Sequence, residues 1–166
     1  WIMGPADEDE KYAKECYDLV ESLGVKDVEF TGRVNVRDYL GKMDFTLLTS
    51  ISEGQPLTIL ESYAAHKPVI TTDVGNCREL IYGNEDGFGD AGILTHIMNI
   101  EEIAHAMVNM SINEENRKRM GEAGYKRVNA FYRIDQMKDV YRKIYKGFSD
   151  SQNLSWTEES FKINGH

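Results

Sequence analysis

The sequence predicts an α/β fold built on a doubly wound parallel sheet. Short β-rich stretches alternate with longer ones whose apolar residues recur at helical spacing, the pattern of βαβ units with right-handed crossovers. Residues 45–50 (FTLLTS) are apolar on both faces and residues 68–72 (PVITT) read as a second buried strand, as in a sheet covered by helices on each side. With 166 residues, 41% apolar and 28% charged, the chain can build one core without disulfides or a metal.

Residues 1–3 read as the end of a buried strand closed by Gly4-Pro5. Acids at 7–10 then open a helix whose apolar positions Tyr12, Cys16, Leu19, Val20 and Leu23 fall on one stripe, with Gly24 as its stop. Residues 28–31 are a short strand ending at Gly32, and residues 36–43 a short helix capped near Asn35. After the strand at 45–50 and a polar loop, residues 57–65 form a helix, and the strand at 68–72 follows. A turn at Asp73-Val74-Gly75-Asn76 leads into a short helix near 78–82. Residues 83–92, with four glycines and three acids, form a loop before a last short strand at 92–94. Three helical stretches follow at 100–110, 114–132 and 134–148, with Ser111 and Asn113 marking a break and a new cap. The polar end of the chain, from 148 to 166, reads as a tail docked by Trp156 and Phe161. Trp1 stands in mid-strand fashion, so the chain reads as a piece of a longer protein.

The net charge of -9 argues against nucleic acid as a partner, which would favour a basic excess. Residues 1–30 hold nine acids and three bases, whereas residues 114–147 hold ten bases and five acids. The basic segment reads first as a solvated helix face and second as a surface for an anionic partner or membrane. Cys16 and Cys77 lie far apart with no CxxC and no His pair, which predicts reduced thiols in a cytoplasmic protein and no zinc. His96 and His105 have apolar neighbours in sequence and read as structural.

In a parallel sheet ligands bind at the carboxyl ends of the strands, so the loops after Thr31, Ser50 and Thr72 are the ones to inspect. The segment from Ser50 to Glu61 carries the most chemistry. A strand runs into a loop holding a carboxylate and a glycine, and a helix begins at once. The first N–H groups of a helix have no internal partner and attract anions or hydroxyls. Gly54 lets a ligand approach the backbone, and Pro56 fits a first-turn position where its missing N–H costs nothing. Glu61 lies one turn inside an otherwise apolar helix, where the vicinal hydroxyls of a ribose would partner it. From the residues alone a second reading stays open, in which Glu53 caps the helix and Glu61 pairs with Lys67 or a backbone group.

Ser52-Glu53-Gly54, the Glu-x7-Glu spacing from Glu53 to Glu61, Ala64-Ala65-His66-Lys67-Pro68-Val69-Ile70, Thr72-Asp73-Val74-Gly75 and Glu79-Leu80-Ile81 together resemble the C-terminal half of the retaining GT-B glycosyltransferases of family four. The likeness is collinear over about residues 1–147. The stretches SEGQPLTILE, DVGNCREL and GDAGIL are similar to the PelF-like exopolysaccharide glycosyltransferases, which use UDP-glucose. The resemblance implies a Rossmann-like nucleotide-sugar donor-binding domain over 1–147. It implies that Glu61 binds the ribose, that catalytic Glu53 stands beside the donor sugar, and that Gly54, Gln55 and Leu57 offer backbone N–H groups to sugar or pyrophosphate. Thr58 adds a hydroxyl near the phosphate, and the turn Gly32-Arg33-Val34 receives the base. No cofactor or metal is implied, and a UDP-sugar is the donor. The acceptor is a glycan or polysaccharide, with association with a membrane synthase complex.

Two residues depart from the family pattern. Pro56 stands where glycine is usual and removes one N–H, and His66 occupies a left-handed position past the helix at a cost of about 1 kcal/mol. The family's diphosphate-binding Arg and Lys, and the acceptor domain, lie upstream of the stretch matching this chain. Its strand order 3-2-1-4-5-6 would then lack the first, central strand, and transfer is expected only together with the N-terminal part. The alternative reading is a nonenzymatic nucleotide-binding or regulatory α/β module. The acidic pair, phosphorylatable Asp and Lys of a phospho-receiver, and the acid and His cluster of an epimerase, are not found.

Overall fold

The computed structural model describes residues 1–150, which fall into two compact units, one spanning Trp1–Asp44 and one beginning at Phe45. The expected tail, apart from its first residues, and its anchors Trp156 and Phe161 lie outside the described residues.

In the first unit, β1 (Ile2–Met3) pairs in parallel with β2 (Phe30–Gly32) across α1 (Glu10–Ser22), the βαβ arrangement that the alternation predicts. The Asp9 carboxylate caps α1 by accepting from the Tyr12 N–H at 2.9 Å, and Glu10 adds negative charge at the positive end of the helix. Gly24 (φ 65°) ends it, and the N–H groups of Gly24 and Val25 return to the Glu21 and Val20 carbonyls. α2 (Arg37–Leu40) is shorter than the expected 36–43. Val36 occupies its cap position without a side-chain bond, while Asn35 Oδ1 accepts from the Arg37 N–H at 3.3 Å.

The second unit contains β3 (Thr46–Leu48), α3 (Leu57–Ala64), β4 (Val69–Thr72), α4 (Cys77–Tyr82), β5 (Gly92–Thr95), α5 (Ile100–Ile112), α6 (Glu114–Phe131) and α7 (Ile134–Asp150). Its strands are parallel in the order β3-β4-β5. Each sheet is parallel, as the alternation of strands and helices predicts. β4 is buried from end to end and its side chains feed two cores. Val69 joins Ile59, Tyr63, Leu80, Ile81 and Ala123 on one face, and Ile70 joins Ala106, Met110 and Met120 on the other. Helices on both faces make this unit doubly wound, as predicted. β3 departs from expectation: it is confined to Thr46–Leu48 and Leu47 is 41% exposed, because β3 pairs only with β4 among the described residues.

α6 packs closely on α3 through two glycines. A Cβ at Gly124 would overlap the Tyr63 ring, and one at Gly121 would overlap the His66 carbonyl. Tyr63 is fully buried and its hydroxyl donates to the Leu80 carbonyl at 3.0 Å. Asn99 and Asn113 cap α5 and α6 with side-chain bonds to the Glu102 and Asn116 N–H groups. α5 therefore runs through Ser111 to Ile112, where the sequence suggested a stop at 110. No helix among the described residues is long and apolar enough to cross a membrane.

Candidate functional site

The loop between β3 and α3 rests on the turn that follows β4. The carbonyl of Ser50 accepts the hydroxyl of Thr72, a fully buried residue at the end of β4. The Gly54 carbonyl accepts the Asn76 N–H at 2.9 Å. Between these points Gly75 (φ 50°) lies so close under Glu53 that a Cβ there would overlap the Glu53 carbonyl oxygen. Glycine is required twice over, for its left-handed backbone and for its missing side chain. Two strand ends thus share one interlocked surface at the carboxyl edge of the sheet. The sequence marks Ser50 and Thr72 as strand ends and Gly75 as part of a motif, but not their contacts with one another, which depend on the register of β3 against β4.

The Glu53 carboxylate is half-buried and accepts the Ser50 hydroxyl at 2.7 Å. It does not cap α3: Pro56 is the cap residue and makes no side-chain cap bond. The backbone N–H groups of Gly54, Gln55, Leu57 and Thr58 donate to no acceptor among the described residues. They stand where the dipole of α3 is positive and where unpaired helix donors favour an anion or hydroxyls. Gly54, Gln55, Leu57 and Thr58 are all exposed.

Glu61 lies one turn further along α3. Its buried neighbours on the helix are Ile59, Ser62 and Tyr63, so the Glu61 side chain is on the other face and is exposed. The carboxylate makes no hydrogen bond or ion pair among the described residues, and the expected alternative pairing with Lys67 is not formed. The helix closes at His66 (φ 57°), whose N–H and that of Lys67 return to the Tyr63 and Ser62 carbonyls. Its ring stacks on Tyr125 at 3.7 Å and its Nδ1 lies 3.2 Å from a Glu122 oxygen, so α6 holds this strained cap in place. His66 is a cap, as its sequence position suggested.

In the first unit, Gly32 (φ 67°) turns the chain out of β2, and Arg33 is exposed with its guanidinium 3.4 Å from Glu8. Val34 is half-buried.

Three expectations need correction. His96 and His105 are not packed among apolar side chains; both are exposed, and His96 Nδ1 lies 2.9 Å from Glu102 because it follows the end of β5. The hydrogen bond from the His96 N–H, and after it that ring contact, hold the Glu102 carboxyl below its ordinary value. Among the bases of 114–147, Arg127 is not on a solvated face. It is 1% exposed, and its guanidinium donates to both Asp86 oxygens and to the Leu80, Ile81 and Gly89 carbonyls. The hydrogen bond from Arg127 holds the Asp86 carboxyl below its ordinary value, and the pair closes the loop between α4 and β5.

Comparison with known proteins identifies the family. The description "Glycosyl transferases group 1" fits residues 1–127. The uncharacterized glycosyltransferase MJ1178 of Methanocaldococcus jannaschii is 30% identical over 145 residues, covering 86% of this chain and 40% of that protein. The N-acetyl-alpha-D-glucosaminyl L-malate synthase of Bacillus anthracis is 32% identical over 129 residues, covering 76% of this chain and 32% of the other. The chain thus spans well under half the length of these relatives. Anabaena HepE, solved in complex with UDP-glucose, shares the fold with a TM-score of 0.76 at 19% identity, over 90% of this chain and 40% of its own. With a match that runs from the first strand into α6, the chain belongs to the glycosyl transferases group 1 family.

Proposed function

We propose that this chain is the nucleotide-sugar donor-binding domain, over about residues 1–147, of a retaining hexosyltransferase that takes glucose from UDP-glucose. The observation that carries the reading is the concentration of unpaired polar groups at one place. Among the described residues, four backbone donors at the start of α3 and the Glu61 carboxylate have no partner, and they share one loop and helix with the half-buried Glu53 carboxylate, which only Ser50 engages. A sugar diphosphate has the matching chemistry: anionic oxygens for the helix N-terminus, sugar hydroxyls for Glu53 and the loop N–H groups, and a ribose diol for Glu61. Complexes of HepE with UDP-glucose show that a protein of this fold takes such a donor.

In this reading Gly54, Gln55 and Leu57 bind through their backbone, Thr58 adds its hydroxyl near the phosphate, and Arg33 and Val34 receive the base. The helix dipole and basic residues of the parent protein stabilise the departing diphosphate without a resident metal. An acceptor hydroxyl forms its bond to the anomeric carbon on the face from which the diphosphate oxygen departs, and its proton passes to that phosphate oxygen. Glu53 orients the sugar and is not a nucleophile; two carboxylates flanking the scissile bond, the hydrolase arrangement, are not needed. The acceptor is a growing polysaccharide or glycan, supplied from the cytoplasmic side to a membrane synthase complex. Both the acceptor and the choice of UDP-glucose rest on the similarity of SEGQPLTILE and its companions to the exopolysaccharide enzymes.

Calorimetric titration of the full-length protein with UDP, GDP and ADP tests this. UDP is expected to bind selectively, and Glu61→Ala to weaken it about 10- to 30-fold, the scale of losing a hydrogen bond to a charged group. Equal binding of UDP by the variant would remove Glu61 from the site.

A further inference from the structure

We propose that Ser50 is a positioning residue for the donor site, acting on the sugar through Glu53. The inference deepens the donor-site reading and rests on Glu53 standing beside the sugar. The Ser50 hydroxyl donates to Glu53 Oε1 at 2.7 Å, and this is the one side-chain bond Glu53 makes among the described residues. Oε1 is thereby engaged and Oε2 is left open.

The two ends of this contact are anchored differently. Every backbone constraint near Glu53 leads back to β4 and its turn: Thr72 to the Ser50 carbonyl, Gly75 beneath the Glu53 carbonyl, and the Asn76 N–H to the Gly54 carbonyl. Thr72 is fully buried, so the donor side of the pair is fixed to the most enclosed strand of the protein. The Glu53 side chain has three rotatable bonds beyond that backbone and only Ser50 to hold them. The freedom a glutamate loses on being fixed is comparable with what one hydrogen bond to a charged group supplies. Removing the hydroxyl therefore releases the carboxylate while leaving the loop on its support. Since orientation and not bulk binding is lost, the effect falls on turnover.

The test uses steady-state kinetics of the full-length protein, reading UDP release from UDP-glucose, for Ser50→Ala, Ser50→Thr, Glu53→Gln and the double variant S50A/E53Q. Ser50→Ala is expected to lower kcat about 10-fold, with the donor KM and UDP affinity changed less than about twofold. Ser50→Thr, which keeps the hydroxyl, should recover to within about threefold of the parent. In the Glu53→Gln background the serine change should cost much less than in the parent, because the hydroxyl can still hold the amide oxygen but the charge it positions is gone. Losses that multiply in the double variant, a threonine no better than alanine, or a normal S50A beside an impaired E53Q would each overturn the positioning role. A normal E53Q would instead overturn the role of Glu53 itself, and the Ser50 proposal with it. If E53Q turns over too slowly to measure, the kcat-against-KM split and the threonine rescue decide.

Discussion

Replacing Arg127 with methionine keeps most of the side-chain volume and removes every donor. Arg127 is 1% exposed and Asp86 is enclosed with it, their side chains 1% and 3% accessible. The Leu80 carbonyl keeps the Tyr63 hydroxyl and the Ile81 carbonyl keeps the Ala91 N–H, so those two acceptors survive the change. What is stranded is the Asp86 charge, left with only the Phe88 N–H, while the Gly89 carbonyl loses its guanidinium donor. Breaking a buried pair from one side costs about 3–5 kcal/mol, much of it the charge left behind. The Gly83–Gly89 turn is built around this pair, since a Cβ at Gly83 (φ 73°) would run into both Asp86 and Arg127. The opening should therefore be local, and hydrogen exchange in the full-length protein reads it at the Gly83, Phe88 and Ala91 amides, bonded to Glu79, Asp86 and Ile81. Their exchange should accelerate by about two to three and a half orders of magnitude. The pH dependence fixes the cause. Asp86 is held below its ordinary value of 3.8 chiefly by the hydrogen bond from Arg127, so the pair's stabilisation is present above that value and is lost as pH falls through the depressed one. The gap between parent and variant should narrow over the same acid range, and Asp86→Asn in the variant should recover part of the loss. Unchanged protection, or a gap that does not move with acid, would refute the assignment of the loop's order to this ion pair.

Two further outcomes follow from close backbone approaches. Gly75→Ala should lift the Glu53 loop off β4, because the new Cβ would overlap the Glu53 carbonyl and sits at φ 50°; turnover of UDP-glucose should fall at least about 10-fold, checked by kinetics, for roughly 1–3 kcal/mol of strain. Gly124→Ala forces α6 away from the Tyr63 ring; thermal unfolding should show roughly 1–3 kcal/mol of destabilisation, and UDP affinity per folded molecule should fall by more than about twofold, because α3 turns and carries Glu61 with it.

Much of the fold was legible because it depends on neighbours in sequence. The new start at Asn113 and the stop at Gly24 are devices of i to i+3 or i+4 and each forms as the residues predict; the acids at 7–10 mark the start of α1, with Asp9 as its cap and not a residue of its first turn. The left-handed position of His66 is implied by the family resemblance, whose pattern favours glycine just past this helix. β4 could be read because four consecutive residues are buried on both faces. β3 could not, because its burial depends on how many strands flank it. The burial of Arg127 is not visible in the charge along the chain, because it depends on the angle of the residue around α6. Met120, Ala123, Gly124, Arg127 and Val128 all lie on the buried stripe of α6, and that spacing was the available signal. Its partner Asp86, in a glycine-rich loop, could not be found from either local pattern.

The candidate site divides along the same line. Glu53 and Glu61 were found together, as one spaced motif, yet they are held by different parts of the molecule. Glu53 takes its position from β4, through Thr72, Gly75 and Asn76, with Ser50 as the last link. Glu61 takes its position from the direction of α3, which α6 sets where Gly124 meets Tyr63 and Gly121 meets the His66 carbonyl. A shift of α6 would therefore reorient Glu61 and the helix N–H groups as one body, while the Glu53 loop, tied to the sheet, would stay in place. The fixed spacing of the two glutamates in sequence is needed to put them on one loop and helix, but their spacing in space is set by the packing of α3 between sheet and α6. Under the proposed donor-site reading, a sugar at Glu53 and a ribose at Glu61 would read that packing directly, which brings Gly121 and Gly124 into the description of the candidate site.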